Sequence, residues 1–117
     1  CLWAAGPAPP DWLAGAGLAR DEGGWFLAEP SLRARGQARV FLAGDIATIE
    51  GAPRPRNGVH SVRAGRPLAE NLRAAVEGRA LVPHRPQRRH LALLQAGETA
   101  IALWGGLAVR GRWALRW

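Results

Sequence analysis

The stretch Arg39–Asp45, RVFLAGD, decides the fold that we expect from this sequence. It joins a short unbroken apolar run to a Gly-Asp pair, and such a run between turn residues is typical of a fully buried strand in a parallel sheet. In open α/β sheets, ligands bind at the carboxyl ends of these strands. Gly44 would let a ligand approach the backbone closely, and Asp45 would accept hydrogen bonds from hydroxyl groups. An ordinary strand that ends in a Gly-Asp turn fits the same residues equally well.

Length and composition predict a folded chain of modest size. With 117 residues, of which 48% are apolar, there is room for one domain with a modest core. The chain begins at Cys1 and contains no methionine, which indicates a piece of a longer protein. One cysteine can form neither an internal disulfide nor a metal cluster. We therefore expect a small apolar residue there, and a cytoplasmic protein.

The charge of the chain is strongly positive, with a net charge of +7 carried by 16 arginines and no lysine. A basic balance can indicate binding to nucleic acid or to an anionic membrane. Because lysine is absent and alanine, glycine and proline are abundant, GC-rich coding explains this bias better than a nucleic-acid-binding patch.

A helix is predicted soon after Asp45. Asn57 is a good N-cap and Gly78 is a natural stop. The apolar residues between them follow helical spacing: Val59, Val62, Ala69, Leu72 and Val76. Two pairs of opposite charge, four residues apart, would form ion pairs on the wet face: Arg66 with Glu70, and Arg73 with Glu77.

The remaining segments read as short strands. Residues 1–6 predict a buried strand that runs into Gly6, and residues 25–27 predict a short strand that Pro30 ends. In the tail, the apolar runs 91–94 and 101–104 flank a hairpin turn. Gly105-Gly106 allows a sharp turn of the backbone, and residues 107–110 and 112–117 would form a second reversal around Gly111.

Three features follow one another along the chain: a strand end at Ala5-Gly6, a second strand end at Gly44-Asp45, and a helix from Gly58. In this order they resemble the carboxyl-terminal part of a two-dinucleotide flavoprotein of the pyridine nucleotide–disulfide oxidoreductase superfamily. In that superfamily, an Ala-Thr-Gly-like strand end lies where the chain crosses from the NAD domain back into the FAD domain. Here the threonine is missing, since the sequence reads Ala-Ala-Gly.

The resemblance implies an FAD site at these residues. Asp45 matches the aspartate that holds the ribityl chain, and Gly58 and Val59 match the helix start whose N–H groups face the pyrimidine edge of the flavin. Gly6 and Gly44 close the two strands beside the cofactor. The partial positive charge of a helix N-terminus would favour the electron-rich reduced flavin.

The tail narrows the resemblance to one branch. Residues 85–94, 104–107 and 111–114 resemble type II NADH dehydrogenases, especially relatives fused to selenide, water dikinase. In quinone-reducing members, this tail leads into amphipathic segments that touch the membrane. Trp113 and Trp117 would begin such a segment here, so peripheral membrane contact of the parent protein stays open.

Parts of the family pattern are missing from the chain. The first FAD motif, a glycine fingerprint after a strand, is absent, and so is nearly all of the NAD domain. The segment 15–20 comes near that fingerprint, but Arg20 replaces its third glycine and no strand precedes it. The disulfide-reductase branch also needs a redox cysteine pair, which Cys1 alone cannot supply.

We therefore expect an α+β fragment of an α/β flavoprotein. Residues 1–88 would form the carboxyl-terminal portion of the FAD domain, and residues 89–117 a β-hairpin tail suited to an interface.

The parent would pass electrons from NAD(P)H through FAD to an acceptor, whereas the fragment itself would lack FAD and be inactive. Its partners would be the rest of the flavoprotein chain or a second copy. No catalytic or metal-binding residue is assigned. A structural or dimerisation domain and a basic nucleic-acid-binding module remain as alternatives.

Overall fold

The computed structural model describes residues 6–116 of the chain. They form a small mixed α+β structure with one α-helix and two sheets. The chain divides into two compact units between Pro86 and Gln87. The sequence-based boundary, between residues 88 and 89, lies two residues further along. The predicted strand at residues 1–6 lies almost entirely outside the described residues.

The first unit contains a two-stranded parallel sheet and the helix. Strand β1, Phe26–Ala28, pairs with strand β2, Ala47–Ile49, so that Phe26 lies opposite Ala47. β1 matches the strand predicted before Pro30. The core of this unit surrounds the sheet and consists of buried and half-buried apolar residues: Phe26, Ala28, Ala34, Leu42, Leu13, Leu18, Ile46 and Ala47.

The prediction of a buried parallel strand at residues 39–43 is wrong. Phe41 makes a single antiparallel bridge to Arg33, and Leu42 donates its N–H to the carbonyl of Leu32 at 2.9 Å. Of the apolar run, Leu42 is buried whereas Val40 is 37% exposed. The run is joined to residues 32–34 by isolated backbone bonds and not by a ladder of strand pairs. The parallel partner of β1 is β2, which follows the Gly-Asp pair.

The helix α1, Gly58–Val76, matches the predicted element closely. The side chain of Asn57 caps it by accepting the N–H of His60 at 3.1 Å, and Gly78 follows its end with a φ of +67°. The predicted pair of Arg66 with Glu70 is present at 3.0 Å. The predicted partner of Arg73 instead forms an ion pair with Arg79, because Glu77 lies at the helix end.

The apolar spacing of α1 does not mark its buried face. Val62 and Val76 are 79% and 89% exposed, whereas Asn71 and Ala74 are buried. Asn71 fixes this face, since its side chain bonds to the carbonyl of Ser31 and to both backbone groups of Val82, each at 2.8 Å. The described residues thus include no layer that covers the apolar side of α1.

The second unit is a three-stranded antiparallel sheet. Strands β3, Ala92–Ala96, and β4, Thr99–Trp104, form the predicted hairpin, and β5, Leu107–Gly111, continues the meander. The chain reverses at Gly105-Gly106, as predicted, and both glycines have positive φ. The further reversal predicted around Gly111 is wrong. Instead, β5 leads into a 3₁₀ helix, Arg112–Arg116, with the ring of Trp113 directly against Gly111, where a Cβ has no room.

No helix in the described part of the chain combines the length and apolar character that crossing a membrane requires.

Candidate functional site

Gly44 turns the backbone sharply just before Asp45. Its φ of +70° lies in the left-handed region, which favours glycine, and it opens the 3₁₀ helix Gly44–Ile46. A Cβ at this position would lie 4.0 Å from the hydroxyl oxygen of Ser61, so the turn lies beside the first turns of α1. The direction in which Asp45 leaves the backbone therefore depends on the left-handed conformation of Gly44, which residues with a Cβ rarely adopt.

Asp45 lies at the leading end of α1. Its Oδ1 accepts a hydrogen bond from Ser61 Oγ at 2.7 Å, while the side chain itself is exposed. An ionised carboxylate has about four acceptor sites, and the bond from Ser61 uses one of them. The side chain can thus hold a hydroxyl-bearing ligand and remain fixed to the helix.

The first turn of α1 supplies hydrogen-bond donors close by. The first four N–H groups of an α-helix have no acceptor within it, and at this end the side chain of Asn57 accepts the one from His60. The N–H groups of Gly58 and Val59 thus have no intrahelical acceptor at the positive end of the helix dipole. Gly58 is exposed and Val59 is half-buried, so this end is accessible.

Arg56 stacks on the ring of Trp25 and bonds to the backbone of Asp45. The Arg56 guanidinium lies 3.7 Å from the ring centroid of Trp25 and donates to the carbonyl of Asp45 at 3.1 Å. It also donates to the hydroxyl of Thr48 at 2.9 Å, and that hydroxyl donates to Asp21 at 2.7 Å. No sequence signal predicts this cluster, because its members lie far apart along the chain.

Asp21 is the anionic member of this cluster. The hydroxyl of Thr48 is the main reason that the pKa of Asp21 lies below its ordinary value of 3.8. The N–H groups of Trp25 and Gly23 add to this, as does the guanidinium of Arg56, and they outweigh the opposing effect of burial. Asp21 is therefore ionised at neutral pH, and it links Thr48 of β2 to the turn at residues 21–25 that precedes β1.

A small cleft lies between the Gly-Asp turn and α1. Its volume is about 50 Å³, far below the several hundred Å³ of a typical cofactor pocket. Two arginines and two histidines are among the polar residues that line it, together with one aspartate and one serine: Arg54, Arg56, His60, His84, Asp45 and Ser61. Burial lowers the pKa of His84, which keeps that ring neutral near pH 7. A ligand larger than a few atoms would lie along the open rim of this cleft.

Of the five residues assigned from the sequence, Gly44 and Asp45 lie beside Ser61, and Gly58 and Val59 begin the helix that carries Ser61. Gly44, Asp45 and Ser61 also line the same small cleft. Gly6 is exposed with open space around its Cβ position, so its side of the proposed site is not formed by described contacts.

Comparison of the chain with protein-family models and with curated proteins finds no match.

Proposed function

We propose that this chain is the carboxyl-terminal part of the FAD domain, with its tail, of a flavin-dependent NAD(P)H oxidoreductase similar to type II NADH dehydrogenases. One observation carries the proposal: Asp45 is exposed and bonded to Ser61, at the leading end of α1. The flavoprotein resemblance requires a carboxylate and a helix N-terminus next to each other. The α+β architecture is compatible with such a fragment, and a lone cysteine agrees with a cytoplasmic protein.

The donor set around Asp45 fits a flavin with its sugar-alcohol chain. A carboxylate accepts hydrogen bonds from ribityl hydroxyls, and the N–H groups of Gly58 and Val59 can donate to the carbonyl oxygens of a pyrimidine edge. When bound, the flavin would supply the redox chemistry between NAD(P)H and an acceptor. This chain would bind and orient it, and the positive end of α1 would stabilise negative charge at that edge.

The chain alone should bind FAD weakly or not at all, and should not oxidise NADH. The pyrophosphate of a dinucleotide needs the N-terminus of a helix after a glycine fingerprint, and the sequence contains no such motif. A cleft of about 50 Å³ also cannot enclose the ring system. Titration of FAD against the purified chain tests this, and saturable tight binding would contradict it.

The decisive experiment examines the coding sequence next to this chain. We expect it to encode a strand followed by three spaced glycines, and then a second dinucleotide-binding domain. The longer protein should purify with flavin and oxidise NADH or NADPH. An upstream sequence without that fingerprint, or a longer protein that stays colourless after incubation with FAD, would overturn the proposal.

The second unit favours an alternative function as an interface module. Trp104, Leu107 and Trp113 are each at least half exposed, and they border an apolar groove of about 330 Å³. Large exposed aromatic residues are typical of interface cores. If this is the main role, Trp104→Arg should abolish self-association of the chain, and the longer protein should bind no flavin.

A further inference from the structure

The helix α1 carries a continuous uncharged stripe on the side that faces away from its buried residues, Asn71 and Ala74. At 3.6 residues per turn, these positions fall within one narrow sector of the helix, and each of them is exposed: Gly58, Val62, Gly65, Ala69, Leu72 and Val76. We call them the α1 stripe. Leu72 and Val76 also border a shallow groove of about 340 Å³ with Phe41 on its lining. An apolar stripe of this length is a surface that a second element can cover.

One edge of the α1 stripe carries charges of alternating sign. Following the chain, they are Arg66, Glu70, Arg73 and Glu77, and all four are exposed. Arg66 and Glu70 already form an ion pair within the helix at 3.0 Å. The order plus, minus, plus, minus is complementary to itself when it is reversed, because each cation then lies level with an anion. This pattern points to a second copy of the same helix as the partner.

We propose that the α1 stripe is a self-association surface, which pairs with α1 of a second copy in antiparallel orientation. A twofold axis between residues 71 and 72 sets the register. Residues whose numbers add to 143 then lie level across the pair. Arg66 faces the partner's Glu77, and Glu70 faces the partner's Arg73.

The same register interdigitates the apolar side chains. With a rise of 1.5 Å per residue, the partner's Val76 lies midway between Gly65 and Ala69, about 3 Å along the axis from each. The two Leu72 side chains lie on either side of the twofold axis. Small residues opposite a valine let two helices approach at the usual separation. The pairing is therefore compatible in both shape and charge.

A parallel pair lacks this complementarity. In a parallel pair with equal residues level, the twofold axis runs along the helices and places the two charged edges on opposite sides of the seam, so the charges of one helix do not meet those of the other. The antiparallel register also leaves the leading end of α1 uncovered by the other helix. The position level with Gly58 is residue 85, beyond the end of α1 at Val76. The pairing is thus independent of the flavin proposal.

Disulfide trapping tests the register directly. In a Cys1→Ser background, which removes the only native cysteine, Leu72→Cys places two thiols about 2 Å apart along the helix axis. Val62→Cys, the matched control on the same stripe, places them about 28 Å apart. Only the first pair comes within the 4.4–6.8 Å Cα separation that a disulfide tolerates. Mild oxidation should convert the Leu72→Cys chain into a covalent dimer and should leave the Val62→Cys chain without a covalent cross-link, as denaturing electrophoresis without reductant measures.

Charge exchange provides a second and independent test. An acidic variant carries Arg66→Glu and Arg73→Glu, and a basic variant carries Glu70→Arg and Glu77→Arg. Each alone should dimerise about tenfold or more weakly than the native chain in sedimentation equilibrium, because four like charges line the edge. An equimolar mixture should restore dimers. Circular dichroism verifies that both variants keep their helix.

Several outcomes would overturn the proposal. The native chain could stay monomeric at all concentrations, or the two cysteine variants could oxidise to dimers equally well. The mixture of acidic and basic variants could also fail to associate although both are folded. Loss of association in Trp104→Arg, with no effect of the charge changes, would assign the interface to the second unit instead.

Discussion

At the scale of single residues, Asn71 is the side chain on which the packing of α1 depends most. It is 1% exposed and makes three hydrogen bonds of 2.8 Å to backbone groups of Ser31 and Val82. Asn71→Leu keeps the volume but leaves those groups unsatisfied, so it should lower the free energy of unfolding by about 3 kcal/mol. Urea denaturation measures this. Glu22→Ala, at an exposed turn, is the control and should stay within about 0.5 kcal/mol of the native chain.

Gly44 and Gly65 should respond oppositely to the same substitution. Gly44 has a φ of +70°, so Gly44→Ala should destabilise the chain by about 1–2 kcal/mol. Gly65 lies inside α1 with open space at its Cβ position, so Gly65→Ala should stabilise it by about 0.8 kcal/mol. Urea denaturation of both variants, at concentrations where the chain is monomeric, decides the matter. A neutral Gly44→Ala would mean that the turn before Asp45 is not formed as described.

Asp21 should make the stability of the chain sensitive to acid. Because its folded-state pKa lies below 3.8, its contribution is complete above the unfolded pKa and is lost as the pH falls through the folded value. Between about pH 5 and about pH 2, the native chain should lose more free energy of unfolding than Asp21→Asn does. Thr48→Val should reduce the loss as well, since the Thr48 hydroxyl is the main cause of the lowered pKa. Equal acid sensitivity in all three chains would contradict this.

At the scale of elements, the sequence predicts what is decided locally. The N-cap at Asn57, the stop at Gly78 and the hairpin of β3 and β4 are all as expected, because capping and turn residues act within a few positions. The apolar run at residues 39–43 predicts a buried strand, but whether such a run pairs with another strand depends on residues far along the chain. The contact of Arg56 with Trp25 is not predicted either, because the two residues lie far apart along the chain.

The turn between β4 and β5 offers a test of an element. Gly105 and Gly106 both have positive φ, as a two-residue turn of type I′ requires. Gly105→Asn should be tolerated, because asparagine is favoured in that position. Gly106→Val should destabilise the second unit, since a β-branched residue resists positive φ. Hydrogen exchange at the amides of β5 should therefore accelerate in the valine variant alone, and equal protection in both would contradict the turn assignment.

At the scale of the whole molecule, the chain buries few large side chains and exposes many. Among the described residues, Phe26, Leu32 and Asn71 are the largest that are fully buried, while apolar side chains such as Trp12, Val62, Val76 and Leu107 are mostly exposed. Surfaces of this kind are usually covered in a native assembly. The sequence could not indicate which apolar residues stay exposed, because helical spacing is the same on a covered and an uncovered face. This exposure supports both the flavoprotein proposal and self-association through the α1 stripe.

The FAD affinity of the longer protein, compared among native, Asp45→Ala and Ser61→Ala forms, tests the central claim most directly. If the Asp45 carboxylate accepts hydrogen bonds from the ribityl chain, Asp45→Ala should weaken FAD binding by about ten- to a hundredfold. Ser61→Ala, which removes only the tether, should weaken it by about threefold or less. If both substitutions weaken FAD binding equally, or neither does, then Asp45 serves only to hold its loop to α1, and the flavin assignment is wrong.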